Sequence, residues 1–439
     1  MTEKNRLFPE FPPVSTKEWT DRITADLKGE DYTKKLVWNT GEGISVMPFY
    51  RQEDIEGTRP IPLFWKAGAN GNDWLIRQDI AVSDFNKANM KALDILMKGV
   101  TSLGFYIADP ATVTEKTFRT LLNGIYADSV ELNFFSEGRA IEIIRILALI
   151  VEEKNVPKNL VRGAVEADPL GWLFKNGKLC VGVEEGLEYL SELSKLSLIF
   201  PAFRTINING SWFSDSGADV VSELAVSLSL GNEYMSVLTG KGMSSPQAAS
   251  RIRFSFGTGS NYFFEIAKLR AARLLWALVC SAYGAENVPE ARMEIHSVTG
   301  RWNKTEKDPF VNLLRTQTEA MSAVLGGADS VTVEPFDRTF RTPEEFSERL
   351  ARNQQLLLKE EAYFDKVIDP AKGSWYIEKI TSMIAEEAWK LFIETEKQGG
   401  FISALSSGTI GDMLKRSAGK REAWLSSRHD LYGKGTEQA

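Results

Sequence analysis

The sequence predicts an α/β protein whose fold class is a (β/α)8 TIM barrel with an extended N-terminal arm and a short C-terminal tail. From Trp74 onward, short β-branched or aromatic segments alternate with longer segments of helical period, a pattern typical of parallel strands joined by crossover helices. Eight such pairs follow one another, and eight consecutive parallel strands favour a closed barrel over an open sheet. The predicted strands are Trp74–Asp79, Leu103–Ala108, Ser129–Phe135, Val161–Val165, Arg204–Asn209, Ile252–Phe256, Met293–Val298 and Ser330–Glu334.

Two of the intervening helices carry clear end signals. One has Thr342 as its N-cap, followed by a proline and two acids, and places Phe346 and Leu357 on a face that we expect to pack on the core. The other begins near Asn261 and stops at Gly284. Both are predicted to be barrel helices.

The chain is predicted to divide into three parts. Residues 1–35 carry apolar side chains among three prolines and are interpreted as an arm that wraps a partner, with a frayed terminus as the alternative. Residues 36–400 form the barrel. Residues 401–439 follow a glycine pair, end in a polar and basic stretch, and are predicted to be a tail or linker.

Composition disfavours several classes of protein. The 52 basic and 59 acidic residues are interspersed and give a net charge of -7, so a nucleic-acid partner is not expected. The start lacks the apolar core of a signal peptide, and the longest apolar run, at 141–151, is too short to cross a bilayer. We therefore expect a cytoplasmic protein without a membrane partner, in which Cys180 and Cys280 are inert core thiols.

The predicted strands have an unusual polar face. Strands of a parallel barrel are covered on both faces and are normally apolar throughout, but several strands here alternate apolar with polar residues. Because the helices must cover the apolar face, the polar face should line the bore. Either the bore admits a long polar ligand, or its charges, including Arg77, pair with each other and fill it. The predicted bore-lining residues are Glu131, Asn133, Asn207, Asn209 and Arg253.

Motifs for common hydrolytic sites are sparse. The chain has two histidines, His296 and His429, which excludes the two-histidine zinc motifs, and no nucleophile elbow accompanies them. His296 is expected to be a hydrogen-bonded structural residue. Glu166 and Glu334, near strand ends, could serve as an acid and base, which leaves a cofactor-independent barrel hydrolase as one alternative function.

Two long segments of the sequence are distinctive, NYFFEIAKLRAARLLWA at 261–277 and ARNQQLLLKEEAYFDKVIDPAKGSWYIE at 351–378. The first is similar to one helix of the methylmalonyl-CoA mutase family, and the second is similar to that family's next long segment. The resemblance extends over most of residues 15–420. It implies a barrel with an acyl-CoA chain along its axis, under adenosylcobalamin held by a separate C-terminal domain. The cofactor then supplies the radical chemistry that converts methylmalonyl-CoA to succinyl-CoA.

The resemblance fails at the residues that carry the family's chemistry. The family's ISISGYH strand corresponds to residues 206–212, where Ser211 and Trp212 replace its tyrosine and its active-site histidine. The family's HSQT motif begins with His296 here but has Val298 in place of glutamine. The comparison therefore implies a degenerate site without catalytic residues.

The bore and the cofactor motif also depart from the family. Asn207, Asn209 and Arg253 align with serines, so the bore should be too narrow for a CoA chain. The family's D-x-H-x-x-G motif is absent around His429 and no cobalamin domain follows, so this chain is expected to bind no cofactor itself.

The resemblance therefore predicts a small, non-catalytic subunit in a heterodimer. Its partner would be the large catalytic subunit, where adenosylcobalamin is expected, and the arm would form part of the interface. A second alternative is a divergent acyl-CoA mutase barrel that uses a separate cobalamin-binding chain.

Overall fold

The eight predicted strands form one closed parallel barrel, which confirms the predicted fold class. The computed structural model describes residues 10–56, 71–285 and 288–426. The barrel strands are β3 (Leu75–Val82), β4 (Ser102–Ile107), β5 (Glu131–Phe135), β6 (Gly163–Ala167), β7 (Phe203–Asn209), β8 (Ile252–Thr258), β9 (Glu294–Thr299) and β10 (Ser330–Thr332). They pair in the order β10-β3-β4-β5-β6-β7-β8-β9. A small antiparallel pair, β1 (Trp38–Asn39) and β2 (Ser45–Val46), precedes them.

The helices surround the barrel, and a second layer covers one side of it. The long helix α14 (Trp375–Lys397) packs on both α9 (Val220–Gly240) and α11 (Tyr262–Ala282), so these two helices are buried between it and the strands. The helices are α1 (Thr16–Asp26), α2 (Tyr32–Leu36), α3 (Phe85–Leu96), α4 (Glu115–Leu121), α5 (Ala140–Glu153), α6 (Pro169–Asn176), α7 (Val183–Leu196), α8 (Gly210–Asp215), α9 (Val220–Gly240), α10 (Ser245–Ala249), α11 (Tyr262–Ala282), α12 (Val311–Leu325), α13 (Glu345–Leu356), α14 (Trp375–Lys397), α15 (Gly400–Ser406) and α16 (Thr409–Ser426).

The two helix predictions had different outcomes. Helix α11 has Asn261 as its N-cap and is followed by Gly284 at φ +78°, as predicted. Helix α13 begins later than predicted, and Phe346 on its predicted core face is 50% exposed. The prediction of that face was wrong because α13 packs through small and polar residues instead. Its Gln355 accepts a hydrogen bond from the Trp74 indole and donates one to the Val331 carbonyl.

The segment predicted as a C-terminal tail is helical as far as residue 426. Gly399 and Gly400 have φ values of +98° and +81°, which turn the chain between α14 and α15. The side chains of Phe401 and Ile410 are buried, and α15 and α16 pack on α9. The glycines therefore mark a turn between packed helices rather than the start of a linker, and residues 427–439 lie outside the described residues.

The described part of the arm lies on the surface. Helix α1 buries none of its residues and begins with a capping box between Ser15 and Glu18. Its contacts with residues that follow it include an edge-to-face pair between Trp19 and Phe49 at 5.5 Å. Residues 1–9 of the arm lie outside the described residues.

Two further sequence expectations concern membrane-spanning helices and the burial of the two cysteines. Within the described residues, no helix is long and apolar enough to span a bilayer. Cys280 is buried, as expected, but Cys180 is exposed. The prediction for Cys180 was wrong because its apolar neighbours, including the 45% exposed Val181, lie in a surface connection between α6 and α7.

Candidate functional site in the barrel bore

The predicted bore residues contact each other across the interior of the barrel. Arg253 on β8 is fully buried, and its Nη1 donates to Glu131 Oε1 at 3.1 Å and to Asn133 Oδ1 at 2.7 Å, both on β5. Its Nη2 donates to Glu166 Oε1 on β6 at 2.7 Å. Since β8 and β5 are separated around the barrel by β6 and β7, these bonds must cross the bore.

A second arginine completes this network. Arg77 on β3 donates from Nη1 to Glu166 Oε1 at 2.6 Å and from Nε to Asp79 Oδ1 at 2.7 Å. Glu166 therefore accepts from two guanidinium groups. We call Arg77, Asp79, Glu131, Glu166 and Arg253 the bore network. Its two positive and three negative side chains occupy the middle of the barrel.

Burial and ion pairing act in opposite directions on the carboxylates of the bore network. Burial alone would raise the pKa of Glu166, but Arg77 and Arg253 outweigh it and hold that pKa below its ordinary value of 4.5. Burial raises the pKa of Glu131, although Arg253 opposes the shift. Glu166 is therefore the carboxylate that the two arginines hold ionised.

The two asparagines of β7 extend the network toward the barrel mouth. Asn207 Oδ1 accepts from Arg253 Nε at 3.3 Å, and Asn207 Nδ2 donates to Asn209 Oδ1 at 3.0 Å. The Asn209 backbone N–H donates to Asp168 Oδ2 at 3.2 Å, and Asp168 Oδ1 accepts from the Tyr234 hydroxyl at 2.6 Å.

Asp168 was not singled out from the sequence. Its position directly before Pro169 was the available signal, because an Asp before Pro is typical of a helix N-cap.

His296 lies in the bore on β9 and is almost fully buried. Its Nδ1 is 2.8 Å from the Ser330 hydroxyl, and its Nε2 is 3.3 Å from the Thr332 hydroxyl. Burial holds the pKa of His296 well below its ordinary value of 6.5, and the charges of Arg77 and Arg253 lower it further. The imidazole is therefore neutral, and both its ring nitrogens lie within hydrogen-bonding distance of hydroxyls on the neighbouring strand β10.

The buried, neutral His296 should make the folded protein less stable at acidic pH. The unfolded chain takes up a proton at this residue below about pH 6.5, whereas the folded chain does not. Protonation therefore favours the unfolded state, and the free energy of unfolding falls as the pH drops below that value. We expect wild type to lose stability relative to His296→Gln on going from about pH 7 to pH 5, by at most about 1.4 kcal/mol per pH unit. Urea unfolding across this range measures the difference. His429 is present in both proteins and therefore does not contribute to it. Parallel stability curves would contradict the neutral assignment.

A glycine on β4 makes room for the bore network. A Cβ on Gly104 would lie 1.9 Å from Asp79 Oδ1 and 2.9 Å from Arg77 Nη2. We expect Gly104→Ala to displace the Arg77–Asp79 pair and to lower the free energy of unfolding by about 1–3 kcal/mol. Gly41→Ala, where a Cβ meets nothing within 4 Å, is the control for urea unfolding. Equal stability of the two variants would show that the bore has spare room.

Above the bore network lies a cavity at the barrel mouth with a volume of about 810 Å³. Ser211, Trp212 and Val298, the positions that depart from the family pattern, all line this mouth cavity, as does His296. Trp212 on α8 is 6.3 Å from the Trp172 ring, and the Lys175 ammonium lies 4.3 Å from the centre of the Trp212 ring. The structure thus brings the predicted site positions together around one cavity.

The two carboxylates considered for hydrolysis are both held by arginines. Glu166 is bound by Arg77 and Arg253, and Glu334 Oε1 is 2.8 Å from Arg301 Nη2. A general acid for glycoside hydrolysis needs a raised pKa, whereas the pKa of Glu166 is lowered. This arrangement does not favour the hydrolase alternative.

Comparison with known proteins assigns the chain to a family. The methylmalonyl-CoA mutase family model matches residues 111–432. A methylmalonyl-CoA mutase small subunit from Porphyromonas gingivalis is 46% identical over 98% of this chain and 70% of its own length. A small subunit from Streptomyces virginiae is 32% identical over 97% of this chain and 70% of its own length.

The similarity extends to mutases whose names do not specify a subunit. The human mitochondrial methylmalonyl-CoA mutase is 30% identical over 98% of this chain, which spans 61% of that relative. The family model covers most of the chain, and the identity to both small subunits extends along nearly all of it. The chain therefore belongs to the methylmalonyl-CoA mutase family, in which it resembles the small subunits.

Proposed function

We propose that this chain is a non-catalytic subunit that binds and stabilises the large, catalytic subunit of a methylmalonyl-CoA mutase heterodimer. The bore network is the observation that supports this proposal. Arg253 is fully buried and links β8 to β5 and β6, across the axis along which the family resemblance places the acyl-CoA chain. The bore is occupied by the protein's own side chains.

A CoA chain would have to separate these ion pairs in order to enter. A buried charge left without its partner costs about 3–5 kcal/mol. The pantetheine part of CoA offers amides and a thioester but no charge that could replace Glu131 or Glu166. The network therefore opposes both the entry and the binding of the chain.

The cofactor belongs to the proposed partner rather than to this chain. Cobalt ligation would require an imidazole nitrogen that is free to face the metal. Among the described residues, His296 is the only histidine, and both its ring nitrogens lie within hydrogen-bonding distance of strand hydroxyls. The residues present therefore do not fit adenosylcobalamin, and we propose that the large subunit binds it.

The exposed arm is proposed to contribute to the interface. Phe11 is 73% exposed and Trp19 is 47% exposed, and α1 has no buried residue. A segment with this much exposed apolar surface is well suited to burial against another chain. The arm therefore provides a specific place at which to weaken the complex.

Co-expression with the large subunit tests the proposal. We expect the two chains to co-elute on size exclusion, with mutase activity in the complex and none in this chain alone. Phe11→Ser should reduce co-elution, whereas Phe346→Ser, at a 50% exposed position on α13, should not. Failure of the two chains to co-elute would refute the proposal. Strong thermal stabilisation of this chain by methylmalonyl-CoA would instead support a divergent acyl-CoA mutase barrel.

Restoring the missing histidine should not restore activity. Trp212→His changes one residue of the mouth cavity but leaves the bore network in place beneath it. We expect the variant chain, assayed alone with methylmalonyl-CoA and adenosylcobalamin, to be as inactive as wild type. The same variant in the co-expressed complex controls for folding. Measurable turnover by the isolated variant would contradict the proposed role of the filled bore.

A further inference from the structure

The mouth cavity has one wall of aromatic side chains. Tyr106, Phe135, Trp172 and Trp212 all line the cavity, and successive ring centres are 5.4, 5.9 and 6.3 Å apart. In chain order, they come from β4, β5, α6 and α8. We call these four residues the aromatic wall. It contrasts with the polar bore directly below it.

The cation at one end of the aromatic wall, Lys175, interacts electrostatically with Asp215 but forms no salt bridge within the described residues. Its ammonium is 4.3 Å from the centre of the Trp212 ring. Lys87 and Arg352, which also line the cavity, likewise form no salt bridge within the described parts of the chain, whereas other cations of the cavity are ion-paired. Arg301 is paired with Glu334, and Lys91 is paired with Glu348. Lys175 is exposed, so its charge is available to a ligand that enters the cavity.

The size and the chemistry of the cavity suit a small molecule. A volume of about 810 Å³ lies within the range of about 300–1,000 Å³ that is typical of ligand pockets. Aromatic side chains bind flat rings by stacked or edge-to-face contacts. An ammonium beside such a ring adds a preference for a negative charge at that end. The bore network closes the floor, so a ligand would be held at the mouth.

We propose that the mouth cavity binds a small planar organic anion, with its ring system against the aromatic wall and its acidic group at Lys175. The inference does not depend on the proposed structural role. It concerns the space above the bore network, where a ligand does not need to separate any ion pair of the bore. It gives the degenerate site a binding function of its own.

Calorimetric titration of the full chain with 2-naphthoate tests this inference. Two probes separate the contributions: cyclohexanecarboxylate is an anion without a flat ring, and 2-naphthalenemethanol is flat but neutral. We expect saturable binding of 2-naphthoate, at least about tenfold tighter than either probe, which corresponds to about 1.4 kcal/mol. Equal affinity for all three compounds, or no saturable binding of 2-naphthoate, would overturn the proposal.

Two substitutions locate the ligand. Lys175→Gln should weaken 2-naphthoate binding about tenfold and leave 2-naphthalenemethanol unaffected, because only the charge contact is lost. Trp212→Leu should weaken both compounds. Lys178→Gln and Trp375→Leu, at exposed positions that do not line the cavity, are the matched controls. Unchanged 2-naphthoate binding by Lys175→Gln would refute the site.

The outcomes for the two proposals can be told apart. If 2-naphthoate binds as expected but the large subunit does not co-elute, the subunit role fails and the ligand site stands. If the subunits co-elute and the titration shows no binding, the ligand site fails alone.

Discussion

Replacing Arg253 with methionine is expected to lower the free energy of unfolding by about 3–5 kcal/mol, which is a large effect for one residue. Arg253 is fully buried and donates to Glu131, Asn133 and Glu166. Methionine is a flexible, unbranched side chain that is shorter than arginine and carries no charge, so Glu131 would remain inside the barrel without its cation. Arg77 would still neutralise Glu166, because that second ion pair is intact.

Urea unfolding measures this effect, and two further variants define its cause. Adding Glu131→Gln to Arg253→Met removes the unpaired charge and should recover part of the lost stability. Arg22→Met is the matched control, since Arg22 pairs with Asp26 on the surface and its side chain is 79% exposed. Its effect should stay within about 0.5 kcal/mol. If Arg253→Met were no less stable than Arg22→Met, the bore network would not hold the barrel together.

The second large effect is expected behind the barrel wall, at Lys268 on α11. Its ammonium is 2.6 Å from Glu223 Oε2 on α9 and 2.6 Å from Glu265 Oε2, and all three side chains are buried. It also donates to the Gly257 carbonyl at the end of β8. Lys268→Met should lower the free energy of unfolding by about 3–5 kcal/mol, because two buried carboxylates lose their shared cation.

This loss should depend on pH. Burial already raises the pKa of Glu223 to about 7 in the presence of Lys268, and removal of the cation should raise it further. The folded variant then keeps a proton that the unfolded chain releases above the ordinary value of 4.5, so its stability falls as pH rises. Wild-type Glu223 also keeps its proton below about pH 7, so the gap from wild type should widen only above that pH, up to about pH 8.5, by at most about 1.4 kcal/mol per pH unit.

Urea unfolding at both ends of this pH range tests the assignment. Lys390→Met is the control, since its side chain is 63% exposed and pairs with Glu387 three residues earlier. It should show a small change that is independent of pH. A gap for Lys268→Met that stayed constant with pH would mean that Glu223 does not take up the proton.

The polar face of the barrel was predictable because it is a local property. Side chains alternate along a strand, so Asn207 and Asn209 share one face of β7 whatever the rest of the chain does. The order of strands and helices was an equally local property, and the structure confirmed the barrel that this order predicted. The side of α13 that faces the core was not predictable, because packing through Gln355 depends on the position of Trp74, which is distant in the sequence.

The pairing of charges was decided only by the tertiary structure. The sequence offered two interpretations of the bore, an open channel or a filled one, and also considered Glu166 for acid-base chemistry. Arg253 and Glu131 are 122 residues apart in sequence, and closure of the barrel brings them within 3.1 Å. The sequence alone therefore determined which side chains face inward, since that depends on the two-residue period of a strand. Which charges neutralise each other depended on how eight strands close, because Coulomb energies follow distances in space rather than along the chain.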